Sequence, residues 1–283
     1  MLHLIHIFQE NTFLLRAICS CIFIAFICPV LGIFLMLRRM SLIGDALSHA
    51  ILPGVAIAFM FYGMSVIAMA IGGLIAGITI SLFATVVSRY NEIKEDASFA
   101  SFYLISLALG VAIISFSGTN VDLIHILFGS LLSIDNNNLI LLAMITSISI
   151  IIMMIIIRPI VIDIFDMNLL KIYGVSASIY QALFLFLIVL NLVIDFQIMG
   201  TLLVVGLMVL PASTAKILAK SINYMIIIAI LSAIISSIIG MICSYYFNIA
   251  TGPMIILING IIYILSILYV NIKKLIIPAH YTA

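Results

Sequence analysis

Asp45 and His49 stand four residues apart in the run RRMSLIGDALSHAILPG, residues 38–54. On a helix that spacing stacks both side chains on one face, about one turn apart. A carboxylate oxygen and an imidazole nitrogen so placed can grip one divalent cation between them. Two plainer readings compete. Asp45 also fits the N-cap of a helix, and it lies close enough in sequence to pair with Arg38 or Arg39.

The elements that must position this pair are membrane spans. Hydrophobic residues make up 66% of the 283 positions and charged residues 7%, against about a quarter charged in soluble proteins. A span needs about 20 mainly apolar residues to cross roughly 30 Å of hydrocarbon. Nine stretches qualify, near 13–37, 46–62, 66–88, 97–117, 139–157, 178–196, 199–217, 225–246 and 254–270. The expected fold is an all-α membrane protein, a polytopic helical bundle of eight or nine spans forming one domain over residues 1–283. Within hydrocarbon an unpaired carboxylate is costly, so Asp45 must face protein or water.

The net charge of +1 is uninformative, but the placement of the basic residues is not. Arg38, Arg39, Arg89, Lys94, Arg158, Lys171, Lys216, Lys220, Lys273 and Lys274 fall in alternate connections; Arg16 alone does not. The bias puts those connections and the C-terminus in the cytoplasm and the N-terminus outside. Residues 1–12 lack a basic n-region and a small-residue cleavage site, and read as a short outer amphipathic segment. Asp195 reads as a marker of the outer interface. Cys19, Cys21, Cys28 and Cys243 lie inside apolar runs and read as buried, inert thiols.

No hydrophilic stretch is long enough for a soluble domain, and no phosphate-binding loop of the Gly-x-x-x-x-Gly-Lys-Ser/Thr type occurs. The chain is expected to be no enzyme, to hold no permanent cofactor and to bind no nucleic acid; ATP hydrolysis would need a partner. Pro53 and Pro211, in ILPGV and VLPAS, should bend or interrupt helices. The small residues of GGLIAG at 72–77 permit close helix packing. The longest cytoplasmic connection, 158–177, mixes charged and apolar residues, as would a short amphipathic helix that seats against a cytoplasmic partner or lies on the membrane surface. Asp122 and His125 could serve a cation entrance or simply cap a short helix.

These residues match a known pattern. RRMSLIGDALSHAILPGVA, KEDASFAS at 94–101, VDLIHILFGSLL at 121–132, GTLLVVGLMVLPASTAK at 200–216 and SYYFNIATGP at 244–253 follow one another as in a family. The chain resembles the membrane permease subunit of bacterial zinc and manganese ABC importers, the ABC-3 family, and looks most like the zinc-uptake branch through its VDL and LFGSLL segments. The resemblance implies a fold similar to the vitamin B12 importer class. It also implies a homodimer in the plasma (inner) membrane, a cytoplasmic ATP-binding subunit, and a periplasmic or membrane-tethered metal-binding protein. Asp45 and His49 match the pair proposed to line the pathway for Zn2+ or Mn2+ as transported substrate. The stretch with Asp166 and Gly174 matches a region implicated in ATPase coupling. Ser130 stands where family members often carry an acid. The competing functions are a self-contained proton-coupled transporter and a non-transporting membrane scaffold.

Overall fold

The computed structural model describes residues 12–63, 65–90, 94–116, 134–165 and 177–276. Every regular element among them is a helix: α1 (Thr12–Leu37), α2 (Ile43–Ala50), α3 (Leu52–Tyr62), α4 (Val66–Tyr90), α5 (Glu95–Phe116), α6 (Asn136–Phe165), α7 (Ala177–Met199), α8 (Thr201–Leu218), α9 (Ile222–Phe247) and α10 (Thr251–Ile276). With α2 and α3 joined as one, nine stretches among the described residues are long and apolar enough to cross a membrane. Hydrocarbon offers no hydrogen-bond partners, so each span satisfies its own backbone.

Burial sorts the helices into an interior and a perimeter. In the most apolar window of α1, 72% of residues are buried, and in α7 and the α2–α3 span 67% and 61%; in α4 and α10 only 17% are. α1 packs on α6, α8 and α9, while α7 packs on both α6 and α4 and so joins the two sides of the bundle. Phe34 of α1 meets Phe184 of α7 edge-on, with ring centroids 6.3 Å apart. Ile71 and Ile75 of α4, Ile151 and Ile155 of α6, and Ile264 and Leu268 of α10 point outward. In a bilayer such a surface meets lipid tails or another apolar protein face.

The chain enters α2 through a tight reversal. The Met40 N–H donates to the Leu35 carbonyl at 2.9 Å and the Arg39 N–H to the Met36 carbonyl at 3.1 Å, the paired bonds of a Schellman stop. The left-handed position of that stop is usually glycine; here Arg39 takes it, with φ of 62°. α2 then stops at Ile51, and α3 begins with Pro53 in its first turn. Proline carries no N–H for the carbonyl four residues back, that of His49, and the Ile51 N–H turns onto it. The expected single span 46–62 is therefore two helices, and it starts earlier than its apolar run because Ile43 and Gly44 already pack inward.

α6 corrects the reading of 158–177 as a connection from its first residue. The helix continues through Arg158 and Pro159 to Phe165, over 30 residues, or about 45 Å, longer than the hydrocarbon is thick. Pro159 withdraws a donor from the Ile155 carbonyl, yet the helix runs on through it for another six residues. Pro211 lies buried inside α8 and does not end it. Residues 1–11 of the outer N-terminal segment, and residues 166–176, lie outside the described residues.

Glycine lets α3 and α4 touch backbone to backbone. A Cβ on Gly54 would overlap the Gly72 carbonyl, and one on Gly72 would overlap the Gly54 carbonyl oxygen and lie 2.9 Å from Ala58 Cβ. The GGLIAG run thus packs as its small residues suggest. Gly72→Val must push α4 off α3, and overpacking of this kind costs about 1–3 kcal/mol. Thermal unfolding of the detergent-purified chain should show a lowered midpoint; an unchanged midpoint would rule out this contact.

Candidate metal site

α2 buries Ile43, Gly44, Ala46, Leu47, Ser48 and Ala50. The two positions left open are Asp45 and His49. Apolar and small residues hold the rest of the helix against α5, with further contacts to α7 and α8, which leaves the polar pair one free face. The Met208 side chain of α8 packs against Gly44 where a Cβ would stand, bringing α8 close beside the pair.

His49 Nε2 lies 3.8 Å from Asp45 Oδ1. That is beyond a good hydrogen bond, which spans about 2.7–3.2 Å. Two metal–ligand bonds of about 2.1 Å meeting at a tetrahedral angle hold their donors ~3.4 Å apart, so a small rotamer change closes the pair on a cation. The Asp45 side chain is 59% exposed and that of His49 25%. The His49 ring lies against Tyr103 of α5, centroids 6.2 Å apart and planes tilted by 32°. Its Nδ1 is buried with no hydrogen-bond partner among the described residues, so Nε2 is the nitrogen offered to a ligand. The Ser48 hydroxyl donates to the Asp45 carbonyl.

Asp45 does not cap α2, and among the described residues it forms no ion pair with Arg38 or Arg39. The N-cap of α2 is Leu42, with no side-chain cap bond, and Asp45 sits one turn in. Arg38 is engaged elsewhere: its Nη2 pairs with Asp163 Oδ2 of α6. Gln181 Nε2 of α7 donates to the same oxygen at 3.0 Å, and the Arg38 guanidinium carbon lies 5.4 Å from the Phe184 ring centre. Burial lowers the Arg38 pKa from its ordinary value, with the charges of Asp163 and Glu95 opposing that fall. This cluster escaped the sequence reading. The signal was present, since Asp163 is an acid inside the apolar run IVIDIF.

The pair remains incomplete within one chain. No group of three or more His, Cys, Asp or Glu able to hold a metal occurs among the described residues. The expected entrance residues Asp122 and His125, and the expected coupling residues Asp166 and Gly174, lie outside the described residues. Asp195, one turn before the end of α7 at Met199, is 2% exposed and accepts a hydrogen bond from Cys28 Sγ of α1 at 3.2 Å. Cys21 and Cys28 are buried as expected; Cys19 is exposed and Cys243 half-buried.

Fold and site define a multi-pass helical membrane protein with an Asp–His pair on a largely buried helix. The chain belongs to the ABC 3 transport family, whose profile matches residues 10–270. It is 34% identical over 261 residues to the manganese transport system membrane protein MntC of Listeria monocytogenes, covering 92% of each chain. It is 33% identical, over 92% of this chain and 95% of the other, to a probable iron transport system membrane protein of Haemophilus influenzae. Among solved structures it is similar to PsaBC from Streptococcus pneumoniae in complex with Fab, at a TM-score of 0.83 and 30% identity, covering 96% of this chain and 100% of that one.

Cobalt(II) titrated onto the purified chain should report imidazole ligation by its visible absorption. The signal is expected to vanish in His49→Ala and to weaken in Asp45→Ala; an undiminished signal in both would place the ion elsewhere.

Proposed function

We propose that the chain is the membrane permease subunit of an ATP-driven importer of divalent transition metal ions, and that Asp45 and His49 form half of a transient site in its pathway. One observation carries the reading: in a chain of this family, a buried interior helix leaves only a carboxylate and an imidazole open. Two ligands hold an ion weakly, which suits a site that must release what it takes up. A second copy related by two-fold symmetry would double them to two Asp and two His. The energy comes from a separate ATP-binding subunit on the cytoplasmic side, and the cargo from an external metal-binding protein.

Manganese is the first cargo to test. The Listeria relative is named for manganese and the Haemophilus relative for iron, and carboxylate with imidazole suits these ions as well as zinc. The expected preference for zinc rests on residues 121–132, all of which lie outside the described residues, and the names of the relatives given above lend it no support. The basic connections favour a cytoplasmic C-terminus, and the nine candidate spans among the described residues, an odd number, are consistent with termini on opposite sides.

Reconstituted with its ATP-binding and metal-binding partners, the chain should take up 54Mn2+ only when ATP is supplied. Asp45→Ala and His49→Ala should each lower uptake by more than about tenfold, equivalent to ~1.4 kcal/mol, with assembly intact. Unchanged uptake in both variants, or uptake by the isolated chain driven by a proton gradient, would overturn the reading.

A further inference from the structure

Three helices meet at Arg38. It ends α1, pairs with Asp163 in the last turn of α6, and lies over Phe184 of α7, while Gln181 of α7 donates to the same Asp163 oxygen. The Arg38 and Asp163 side chains are 11% and 3% exposed. A buried ion pair loses most of its attraction to desolvation and stabilises a fold little more than well-packed apolar residues do. Folding alone is a poor reason for this one.

Its bonding is also one-sided. Arg38 Nε and Asp163 Oδ1 are both buried without a hydrogen-bond partner among the described residues, whereas an arginine held rigidly to a carboxylate uses two parallel bonds. One spare donor and one spare acceptor let the guanidinium slide along the carboxylate without losing it. A cavity of about 230 Å3 beside the pair supplies room; Arg38, Glu95, Thr85 and Gln181 are among its lining residues. On one side of the pair, the Arg39 reversal leads directly into α2 and the Asp45–His49 pair. On the other, the last turn of α6, ending at Phe165, and the start of α7 at Ala177 lie on the side assigned to the cytoplasm.

We propose that Arg38 is a positioning residue that carries movement of the adjoining ends of α6 and α7 into α2, and so sets where the Asp45–His49 pair stands relative to the rest of the metal site. This rests on the ATP-driven reading above. Asp163 and Gln181 are the handle, Arg38 the link, and the reversal at Arg39 the joint. The planar guanidinium lies over the Phe184 ring while it pairs with the carboxylate, a combination a lysine ammonium would not reproduce.

The test measures ATP hydrolysis and metal uptake together in proteoliposomes holding the whole complex. Asp163→Asn and Arg38→Gln should keep hydrolysis within about twofold while metal moved per ATP falls about tenfold. The exchange Arg38→Asp with Asp163→Arg should recover part of that ratio. A merely structural pair would lower assembled yield and leave the ratio of what assembles unchanged, and that outcome overturns the proposal. If the charge variants fail to assemble, Gln181→Leu, which keeps the ion pair, decides it: a ratio lowered about threefold supports the link, an unchanged ratio overturns it. Failure of the wild-type complex to couple uptake to ATP instead refutes the functional reading, and the link with it.

Discussion

Backbone in hydrocarbon has no water to turn to, so any interruption of a helix must be hidden inside the protein. The break between α2 and α3 obeys that constraint: Ala50, Ile51 and Leu52 are all buried, and Ile51 keeps right-handed helical dihedrals, so only the hydrogen-bond ladder is interrupted. Pro53 creates the break and Gly54 lets α4 close over it. The break in turn separates a short, mostly buried helix carrying two polar side chains from a longer one that packs by backbone contact. Without it, Asp45 and His49 would lie on one continuous span with its own lipid-facing demands.

Much of this was legible in the residues. Apolar runs gave the spans, small residues at 72–77 marked a place for close helix packing without naming the partner, and the four-residue spacing gave the shared face of Asp45 and His49. The failures are physical, not accidental. Hydropathy counts polarity and is blind to whether a helix goes on after it leaves the membrane, so the expected span ends near 157 although its helix runs to Phe165. It is equally blind to partners across the bundle: nothing in the sequence around Asp195 shows Cys28 of α1 beside it.

The Arg38 cluster was missed for a related reason. Its members are 125 residues apart along the chain for the ion pair and 18 for the Asp163–Gln181 bond, so no local pattern contains them. Asp45 was judged against Arg38 as a nearby counter-charge. In three dimensions the arginine had a different acid, and the release of Asp45 from that duty is what leaves it available to an ion.

The left-handed residue that stops α1 carries an implication for any attempt to engineer this protein. Arginine there costs roughly 1–2 kcal/mol against a residue without a Cβ, so a library selected for heat resistance will drift towards glycine at Arg39. What such a library discards is a positive charge at the membrane exit, a cue that the insertion machinery reads when it decides which way round the chain goes. Hardening the fold at this residue therefore trades folding energy against biogenesis, and a variant that melts later can still be made in fewer correctly inserted copies.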